Sequence, residues 1–450
     1  MAQETVLTTD ELSQIIATQD AEKLLQALAE IPQEERARLI NRMDAADAER
    51  MMMLLPPEDA AALLEKLSDG QAQQLLECVP FEQAAQIADE IHSAARADIV
   101  GRMDSRSMDA IMKLMIPEEA EDLRELVSHA PDTAGGLMIT EYLVYRSSQT
   151  VEEILKDLQN NGQEYADYDI QYAYITDDND RLVGVLRLRD MLFSPRSRKA
   201  SEVMIPKPIS VVTTDSLEKL QRFFEEHRYF GVPVLNADGA LCGVLRRAAV
   251  QEAGTERANT MFMRFSGIIG GEEFRNMNLK TRYSRRLSFL TLNILLNVVA
   301  ASVIAVHSNT LEQIIALAVF LPIISDMGGC SGNQAAAVTI RELSLGLIKP
   351  KDYLQIMNKE LSVGAINGIA LGIIMGGLAY LWKGDIWLSL VAGISLFLST
   401  LVAVIVGGLI PLAVKKLKLD PALVSGPLLT TITDMCGFFF VLTLAAAILI

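Results

Sequence analysis

The sequence predicts a multi-domain membrane protein: an N-terminal α-solenoid, a tandem pair of small α/β modules, a connecting helix and a five-helix transmembrane domain. Two observations predict this class. The 170 residues from Thr281 onward contain only 11 Lys/Arg and 8 Asp/Glu, whereas the 280 residues in front contain 29 and 49. The back part also contains charge-free apolar runs of roughly 20 residues or more, the length that a membrane-spanning helix needs.

Composition narrows the possible functions. The acidic front part argues against a nucleic-acid partner and fits either plain solubility or contact with divalent cations. Residues 1–14 lack the basic and apolar regions of a cleaved secretory signal, so we expect the front part to stay in the cytoplasm. The cysteines are far apart and form no CxxC pair, which argues against a disulfide framework or a thiolate zinc site. They are Cys78, Cys242, Cys330 and Cys436.

A 12-residue repeat runs through residues 1–130. Every twelfth position from 31 to 115 is apolar, and a proline or polar residue follows most of these positions. Proline followed by acidic residues, as in the stretch PPED, is typical of the first turn of a helix. The repeat predicts an α-solenoid of short helices that bury their apolar faces on one another, with an irregular helical bundle as the alternative. The repeated positions are Ile31, Met43, Leu55, Leu67, Val79, Ile91, Met103 and Met115.

Residues 131–200 and 201–254 form two copies of one pattern. A helix-like stretch, TVEEILKDLQ or SLEKLQRFFEEH, precedes a strand, a turn, a second strand and a helix. The strand parts read QYAYITDDNDRLVGVLRLRDML in the first copy and GVPVLNADGALCGVLRRAAV in the second. This pair resembles tandem CBS modules, which sense ligands and dimerise.

The resemblance to CBS modules also implies where a nucleotide would bind. Copies that bind nucleotides usually carry Ser or Thr a few residues after the strand glycine, and Asp soon afterwards. Here Arg187 and Arg246 occupy the hydroxyl position. Asp190 keeps the acidic position in the first copy, while Arg247 replaces it in the second. Asp190 is therefore the candidate ligand residue of the pair, and we expect the pair to bind no nucleotide.

Residues 255–285 are polar and helix-like, and they lead into residues 286–450, where we predict five membrane spans. Three spans contain no Asp, Glu, Lys or Arg, and the last contains a single Asp. The second span is different, because it starts as an apolar helix and then reads SDMGGCSGNQ. The charge-free runs are Leu287–Leu311, Leu361–Trp382 and Ile386–Val414, and the last span lies within Ala422–Ile450.

The distribution of Lys and Arg among the short loops predicts the orientation. Basic residues cluster before the first span, between the second and third, and between the fourth and fifth. The two opposite loops contain only Lys383. Because basic loops stay in the cytoplasm, we expect a multi-pass protein of the cell (inner) membrane with residues 1–285 inside and the C-terminus outside.

Asp434 is the candidate centre of an ion path. A carboxylate at membrane depth costs about 2.5–3.5 kcal/mol to insert, so it usually faces a cavity or a pathway. Pro427, Thr430 and Thr431 precede it and can open the backbone and add oxygen ligands. The alternative interpretation is a carboxyl group that is hydrogen-bonded to a neighbouring helix.

The second span supplies the opposite wall of this path. Its glycines allow close helix approach and exposed carbonyls, its amides add oxygens, and its proline can free a carbonyl; plain helix packing is the alternative. Without a His or thiolate cluster, the ligands are oxygens, which suit Mg²⁺, Ca²⁺ or Mn²⁺. One Asp neutralises little charge, so we expect a two-fold homodimer with the pore on its axis. The predicted wall residues are Pro322, Gly328, Gly329, Gly332, Asn333 and Gln334.

Two stretches, PIISDMGGCSGNQAAAVTIREL and KLKLDPALVSGPLLTTITDMCG, resemble the MgtE family of magnesium channels. The family patterns are a proline followed by GGNxGNQ, and DPALVSxP followed by Asp. The resemblance implies that Asp434 is the pore carboxylate for hydrated Mg²⁺ and that Asp420 is the acidic residue at the inner membrane face. It also implies a homodimer in the lipid membrane whose cytoplasmic domains bind regulatory Mg²⁺ and hold the connecting helices as a plug.

Three departures from the family pattern bear on function. Cys330 stands where Asn is usual, and Asp326 stands where Gly is common, which adds a second candidate metal ligand. The strongly acidic stretch expected after the second CBS copy reads LRRAAVQEAGTERAN here, in which Arg246 and Arg247 replace acids. Because these cations repel Mg²⁺ and can pair with acidic groups directly, we predict weaker or altered Mg²⁺-dependent gating.

The main hypothesis is an Mg²⁺ channel that the membrane potential drives inward, and not an enzyme. The stretches GGLMITEY and GIIGGEE lack the lysine of a phosphate-binding loop, so no nucleotide hydrolysis is predicted. A transporter of another hard divalent cation, such as Mn²⁺, Co²⁺ or Ca²⁺, is the alternative within transport. A non-conducting membrane sensor that signals through the CBS pair is the alternative from another class.

Overall fold

The structure is a computed structural model that describes residues 9–40, 42–162, 165, 168, 171–179, 181–274, 277 and 279–450. The side chains of residues 33, 34, 37, 38 and 45 are not described. The first eight residues, on which the signal-peptide prediction partly rests, lie outside this part of the chain. Two compact units are present, Met1–Arg257 with Phe274–Asn276, and Ala258–Glu273 with Met277–Ile450.

The first unit begins with short helices, as the 12-residue repeat predicts. Seven of the eight repeated positions are buried and Leu67 is half-buried, so the repeat marks the shared core of the solenoid. Pro57 and Pro117 occupy the first positions of their helices, where the missing N–H costs nothing. The helices are α1 Thr9–Ala17, α2 Ala21–Glu30, α3 Gln33–Ile40, α4 Ala45–Leu54, α5 Pro57–Leu64, α6 Asp69–Glu77, α7 Phe81–Glu90, α8 Ser93–Val100, α9 Ser105–Met112 and α10 Pro117–Ser128.

Two α/β modules follow, and they share one topology. In each sheet a parallel strand pair leads into an antiparallel hairpin, and both hairpins shift register at the equivalent position, before Thr176 and before Leu235. The first module contains α11 Ala134–Leu137, β1 Leu143–Arg146, α12 Val151–Asn160, β2 Tyr172–Thr176, β3 Leu182–Arg187, α13 Leu188–Leu192, α14 Ala200–Val203 and β4 Ile205–Pro206. The second contains β5 Val211–Val212, α15 Leu217–Glu226, β6 Gly231–Leu235 and β7 Leu241–Arg246.

The solenoid core continues into the second module, whereas the first module has a core of its own. Leu217, Leu220 and Leu245 belong to the same apolar cluster as the solenoid helices. The separate cluster of the first module contains Ile154 and Ile175. The duplicated pattern in the sequence therefore gives two equivalent sheets with different packing partners.

The connecting segment differs from the single helix expected over 255–285. Helix α16 already begins at Arg247 and ends at Phe265, and α17 begins only at Leu279. Gly267 explains the break, because it adopts φ 85°, a left-handed conformation in which glycine ends helices without strain. Its N–H still donates to the Arg264 carbonyl, 2.9 Å away.

The second unit is helical. Four of its described stretches are long and apolar enough to cross a membrane by length and composition: Leu279–Val306, Pro350–Lys383, Ile386–Lys416 and Pro421–Ile448. Helix α19 is also 28 residues long, but its polar run keeps it out of these four stretches, so its passage through the membrane stays a prediction. The helices are α17 Leu279–Val306, α18 Ser308–Gln313, α19 Leu317–Ser344, α20 Tyr353–Lys383, α21 Ile386–Lys416 and α22 Pro421–Ile448, with a 3₁₀ turn at Pro350–Asp352.

Helix α21 forms the centre of this unit and packs against α19, α20 and α22. Glycine permits a close approach: a Cβ atom at Gly332 of α19 would lie only 3.0 Å from the Ala403 carbonyl oxygen of α21. Helix α17 packs against α22 and leaves much of its apolar surface exposed in the single chain. The packing of α19 and α22 brings the two polar spans together.

Candidate ion-binding cavity

Helices α19 and α22 line a cavity of about 550 Å³ in the second unit. Both predicted membrane carboxylates, Asp326 and Asp434, lie on its wall. The sequence places them on different spans, and the packing of the two helices puts them on one surface. The other lining residues are Ile304, Leu311, Ala318, Leu321, Pro322, Ser325, Gly329, Cys330, Asn333, Thr430 and Phe438.

The two carboxylates are held differently. Asp434 is half-buried, and its Oδ1 accepts a hydrogen bond from the Ser325 hydroxyl on the facing helix. Asp326 is exposed in the single chain, as are Cys330 and Asn333 on the same wall. The cavity therefore combines one oriented carboxylate with a second, more accessible one.

Pro322 affects the backbone of this wall. Because proline has no N–H, the carbonyl of Ala318, four residues earlier, loses its usual helical donor, and both residues line the cavity. On α22, Thr430 also lines the cavity, and its hydroxyl donates to the Gly426 carbonyl at 3.0 Å. The hydroxyl oxygen keeps its lone pairs for a ligand or water.

Six of the twelve predicted metal and pore residues lie around this cavity: Asp326, Asp434, Pro322, Gly329, Asn333 and Thr430. The glycines Gly328 and Gly332 pack instead, since a Cβ atom at Gly328 would lie 2.7 Å from Ser399 Oγ. Pro427 and Thr431 are buried within α22, where the Thr431 hydroxyl donates to the Pro427 carbonyl at 2.8 Å. Gln334 is exposed and is not part of the lining.

Asp420 lies outside the cavity and has two partners. Its Oδ1 accepts from the Ala422 N–H at 2.9 Å, so it caps the N-terminus of α22. Its Oδ2 lies 2.7 Å from Arg264 Nη1 near the end of α16. In this structure a guanidinium group neutralises the carboxylate for which the family resemblance implies a role at the inner membrane face.

Ser325 was missed as a site residue, although helical spacing could have found it. Positions 322, 325 or 326, 329 or 330, and 333 recur every three to four residues and mark one face of α19. The same spacing places Gly328 and Gly332 on a different face. The motif alone, taken as a block, does not separate the lining residues from the packing residues.

In the first unit, Arg102 joins acidic groups from two helices, α6 and α16. Its Nη2 lies 2.7 Å from Asp69 Oδ2 and 3.0 Å from Glu256 Oε1 on α16. Asp98 is close to these groups, and burial raises its pKa to about 7; the charges of Asp69, Glu256 and Glu252 act in the same direction, and that of Arg102 opposes them. The acidic residues that α16 retains from the family's acidic stretch, Glu252 and Glu256, therefore lie in a network that already contains a cation.

The two arginines that replace family acids take up structural positions. Arg247 donates to the carbonyls of Tyr229, at 2.9 Å, and His227, both just after α15, and its guanidinium lies over the Phe224 ring. Among the described residues it thus pairs with backbone and an aromatic face, and not with the acidic groups that the sequence suggested. Arg246 lines the cleft between the two modules, and its Nε is buried without a hydrogen-bond partner in the described part of the chain.

That cleft has a volume of only about 40 Å³. Tyr142 and Tyr174 meet edge to face within it, with ring centroids 6.0 Å apart. Glu141, another lining residue, accepts hydrogen bonds from the backbone and hydroxyl of Ser93. Asp190, the candidate CBS ligand, is not part of this lining and lies near the guanidinium groups of Arg187 and Arg189, at 3.9 and 3.5 Å.

Comparison with known families matches most of these parts. The model for the MgtE divalent cation transporter matches residues 321–444, which include most of α19 to α22, and the MgtE intracellular N domain matches residues 50–132. CBS domains match residues 134–196 and 200–255. The magnesium transporter MgtE of Thermus thermophilus is 30% identical over 362 residues, which cover 80% of this chain and 79% of that protein. The chain belongs to the MgtE family.

Further MgtE relatives agree with this assignment. The magnesium transporter MgtE of Bacillus subtilis (strain 168) is 28% identical over 333 residues, 74% of this chain and 73% of that protein. Membership of a transporter family, together with several apolar helices, makes the chain a membrane-embedded protein. The predicted fold class is confirmed by the matched domains.

Solved structures match the front part of this MgtE-family chain. The soluble part of a magnesium transporter covers 56% of this chain and 98% of its own, with a TM-score of 0.50 and 22% identity, and it supports the fold alone. The cytosolic domain of the Mg²⁺ channel MgtE in complex with ATP covers 54% of this chain and 99% of its own, with a TM-score of 0.50 and 27% identity.

Proposed function

We propose that this chain carries hydrated Mg²⁺ into the cytoplasm, down the electrochemical gradient, through a dimeric pore that its cytoplasmic domains gate. The cavity between α19 and α22 carries the proposal, because it joins two carboxylates with hydroxyl and amide oxygens on predicted membrane helices. Relatives named as magnesium transporters support Mg²⁺ as the ion.

The size of the cavity suits an ion that keeps its water. Mg²⁺ has six octahedral ligands and gives up water reluctantly, so it is best bound through its hydration shell. Six waters at roughly 30 Å³ each occupy about 180 Å³. The cavity of about 550 Å³ accommodates such an ion with room for movement. Oxygen groups on the wall can then bind the outer face of the hydrated ion without replacing its waters.

A second copy of the chain would complete the pore. Asp326, Cys330 and Asn333 line the cavity and are nevertheless exposed in the single chain. A two-fold axis beside this wall would bring two copies of each carboxylate to one path. The doubled charge would compensate the two positive charges of the ion better than one Asp434 alone.

The direction of transport follows from the membrane potential. The distribution of basic loops supports a cytoplasmic location for residues 1–285. A divalent ion that moves inward gains roughly 4.6 kcal/mol at 100 mV, because each charge contributes about 2.3 kcal/mol. This driving force needs no nucleotide hydrolysis, so we expect no enzymatic activity.

Helix α16 is the element through which we expect gating. Within the first unit, Glu256 pairs with Arg102, and Arg257 pairs with Glu218 at 2.8 Å. Within the second unit, Arg264 pairs with Asp420 at the start of α22. Built-in cations neutralise these acids, which supports weaker regulation by cytoplasmic Mg²⁺ than an all-acidic surface would give.

Two observations favour a second ion. Asp326 and Cys330 both line the cavity, and they add a carboxylate and a thiol to a wall that the family pattern builds from glycine and amide. A thiol on the wall favours a softer cation such as Co²⁺ over Mg²⁺, whereas an added carboxylate suits Mn²⁺ and Ca²⁺ as well as Mg²⁺. The choice among Mg²⁺, Mn²⁺, Co²⁺ and Ca²⁺ is therefore part of the test below.

We also infer that the cleft between the CBS modules, as formed here, admits no nucleotide. Its volume of about 40 Å³ is far below the roughly 300 Å³ at which ligand pockets begin. A relative solved with ATP shows that nucleotides bind in that protein. Calorimetric titration of this chain with ATP distinguishes the two cases, and micromolar binding would contradict the inference.

The decisive experiment is ion flux into proteoliposomes, with Mg²⁺, Mn²⁺, Co²⁺ and Ca²⁺ compared under an imposed potential. We expect Asp434→Asn to reduce Mg²⁺ flux about tenfold or more, since one interaction with a charged group is worth at least about 1.4 kcal/mol. Asp385→Asn is the matched control, because Asp385 caps α21 through the N–H groups of Trp387 and Leu388 and is not part of the cavity wall.

Three outcomes separate the hypotheses. Undiminished flux in Asp434→Asn would remove the pore assignment. Faster flux of Co²⁺ or Mn²⁺ than of Mg²⁺ would favour the second ion. No flux of any ion, from protein that is folded and inserted, would favour a non-conducting sensor.

A further inference from the structure

The hydroxyl of Ser325 differs from the neighbouring hydroxyls in its partner. Ser331 on the same helix donates to the Met327 carbonyl at 2.9 Å, and Thr430 and Thr431 donate to carbonyls of α22. Such bonds within one helix are the usual arrangement for Ser and Thr. Ser325 instead donates across the helix interface to Asp434 Oδ1. Its partner is the carboxylate that the proposed function places at the centre of the ion path.

Close helix packing makes this contact possible. A Cβ atom at Gly437, one turn after Asp434, would lie 3.3 Å from Ser325 Cα, so glycine lets the backbone of α22 approach α19. Ser325 is only 7% exposed, and its short side chain spans the remaining gap. The donor and the carboxylate are therefore held by packed backbone, and not by a mobile side chain.

The hydrogen bond leaves the two oxygens of Asp434 unequal. Oδ1 uses one of its lone pairs for the Ser325 hydroxyl, whereas Oδ2 has no such bond within the described residues. Ca²⁺ accepts six to eight oxygens in flexible geometry and often binds both oxygens of one carboxylate. Mg²⁺ keeps its octahedral waters and needs only an acceptor for them. A carboxylate with one oxygen hydrogen-bonded and held in place is thus a poorer bidentate ligand but remains a good acceptor for a hydrated ion.

We propose that Ser325 is a positioning residue that sets ion specificity: by occupying one oxygen of Asp434, it disfavours direct, bidentate binding of Ca²⁺ and favours a hydrated Mg²⁺. This inference rests on the proposed function, since it assigns a role to a neighbour of the proposed pore carboxylate. Asp326 follows Ser325 directly in the chain and lines the same cavity. Without the Ser325 hydrogen bond, Asp434 and Asp326 would therefore offer an ion two accessible carboxylates.

The test is competition by Ca²⁺ against Mg²⁺ flux in proteoliposomes. We expect Ser325→Ala to lower the Ca²⁺ concentration that halves Mg²⁺ flux by about tenfold, because a hydrogen bond to a charged group is worth about that factor in an equilibrium. Ser325→Thr, which keeps the hydroxyl, should restore the original ratio. Ser331→Ala is the matched control: Ser331 is 8% exposed, lies on the same helix, and its hydroxyl bonds its own backbone.

The ratio of Ca²⁺ to Mg²⁺ sensitivity does not depend on the amount of folded protein, so a purely structural role would not change it. If Ser325→Ala does not insert, Ser325→Cys, a weak donor of similar size, should show the same increase in Ca²⁺ sensitivity. An unchanged ratio in both variants, or equal changes in Ser331→Ala, would overturn the proposal. Flux through Asp434→Asn is measured in parallel. If this variant conducts Mg²⁺ normally, the proposed function fails. If it does not, the Ser325 variants test the specificity role separately from the pore assignment.

Discussion

The surroundings of the acidic side chains decide what each of them does. Asp385 and Asp420 accept backbone N–H groups at helix starts, where the helix dipole also favours negative charge. Asp434 accepts a hydroxyl bond at a cavity, and Asp98 lies buried among other acids. The first two carboxylates cap helices, whereas burial disfavours the charged form of Asp98. A high pKa at Asp98 therefore indicates that its charged form destabilises the folded unit.

We predict that Asp98→Asn stabilises the chain, and more so as pH rises. Burial raises the pKa of Asp98 from its usual value near 3.8 to about 7, so the folded state holds the proton that the unfolded state has already lost. Stability therefore falls as pH rises through this interval, by on the order of 4 kcal/mol in total, and Asn removes that loss. Thermal unfolding by calorimetry at about pH 5 and about pH 8 measures the difference.

Asp109→Asn on α9 is the control for this prediction, because Asp109 is an exposed acid on a neighbouring solenoid helix. It should leave the unfolding temperature nearly unchanged at both pH values. A gain in stability for Asp98→Asn that is equal at both pH values would show that neutralising this carboxyl is not the cause.

For individual residues, the sequence predicted which polar side chains line the cavity better than it predicted the contacts that they make. It pointed to Asp434, Asp326 and Asn333, which line the cavity, because a polar side chain in an apolar span is costly and therefore indicates a function. It did not identify Ser325, because a serine in a membrane helix usually bonds its own backbone and gives no signal. It also could not show that Arg247 bonds two carbonyls after α15, since that contact depends on the tertiary path of the chain.

Among the elements, α16 is the one whose extent and contacts differ most from expectation. It ends at Phe265 because Gly267 adopts a left-handed conformation, and Arg264 in its last turn pairs with Asp420. Both side chains are more than 30% exposed, so the pair is worth about 1 kcal/mol or less. An energy of that size cannot hold a structure rigidly, but it can bias an equilibrium between a docked and a released helix.

We predict that Arg264→Gln raises Mg²⁺ flux, by up to about fivefold, because about 1 kcal/mol corresponds to that change in an equilibrium. Asp420→Asn should give the same increase, since Asn keeps the cap on α22 and loses the charge. The double variant should add little to either single change, because both remove one interaction. Flux into proteoliposomes with equal protein content is the measurement.

A decrease in Mg²⁺ flux would have a different interpretation. If Asp420 instead binds Mg²⁺ at the inner membrane face, Asp420→Asn should lower flux while Arg264→Gln raises it. That pattern would indicate a metal site at Asp420 and not an ion pair that holds α16 in its docked position. A decrease in both variants would show that the pair supports the open form.

The elements themselves were largely predictable. The 12-residue repeat gave the solenoid helices because each repeat must bury its apolar face on a neighbour, and Ile31 to Met115 lie in that core. The two sheets followed from the duplicated strand pattern. The end of α16 was not predicted, because the length of a polar helix depends on where one glycine adopts positive φ, and Gly267 is followed by two further glycines with the same option.

For the whole molecule, the proposed dimer follows from charge. One chain offers Asp434 and Asp326 to a cavity whose wall is exposed on one side. Two-fold symmetry would make each carboxylate of one copy face its equivalent in the other. A hydrated ion would then contact both copies at once, so neither copy would conduct independently of its partner.

We predict that one defective copy disables a dimer. Co-expression of wild-type and Asp434→Asn chains with different affinity tags, followed by two sequential purifications, isolates mixed dimers for flux measurements. A shared path should leave these dimers with well under half of wild-type Mg²⁺ flux, because the single path loses half of its central charge, whereas two separate pores would leave about half. Mixed dimers of wild-type and Asp385→Asn chains should conduct normally, since Asn keeps the helix cap outside the cavity. A value near half for the Asp434→Asn mixture would place one complete pore in each chain and contradict the shared path, although Asp434 itself would remain a pore residue.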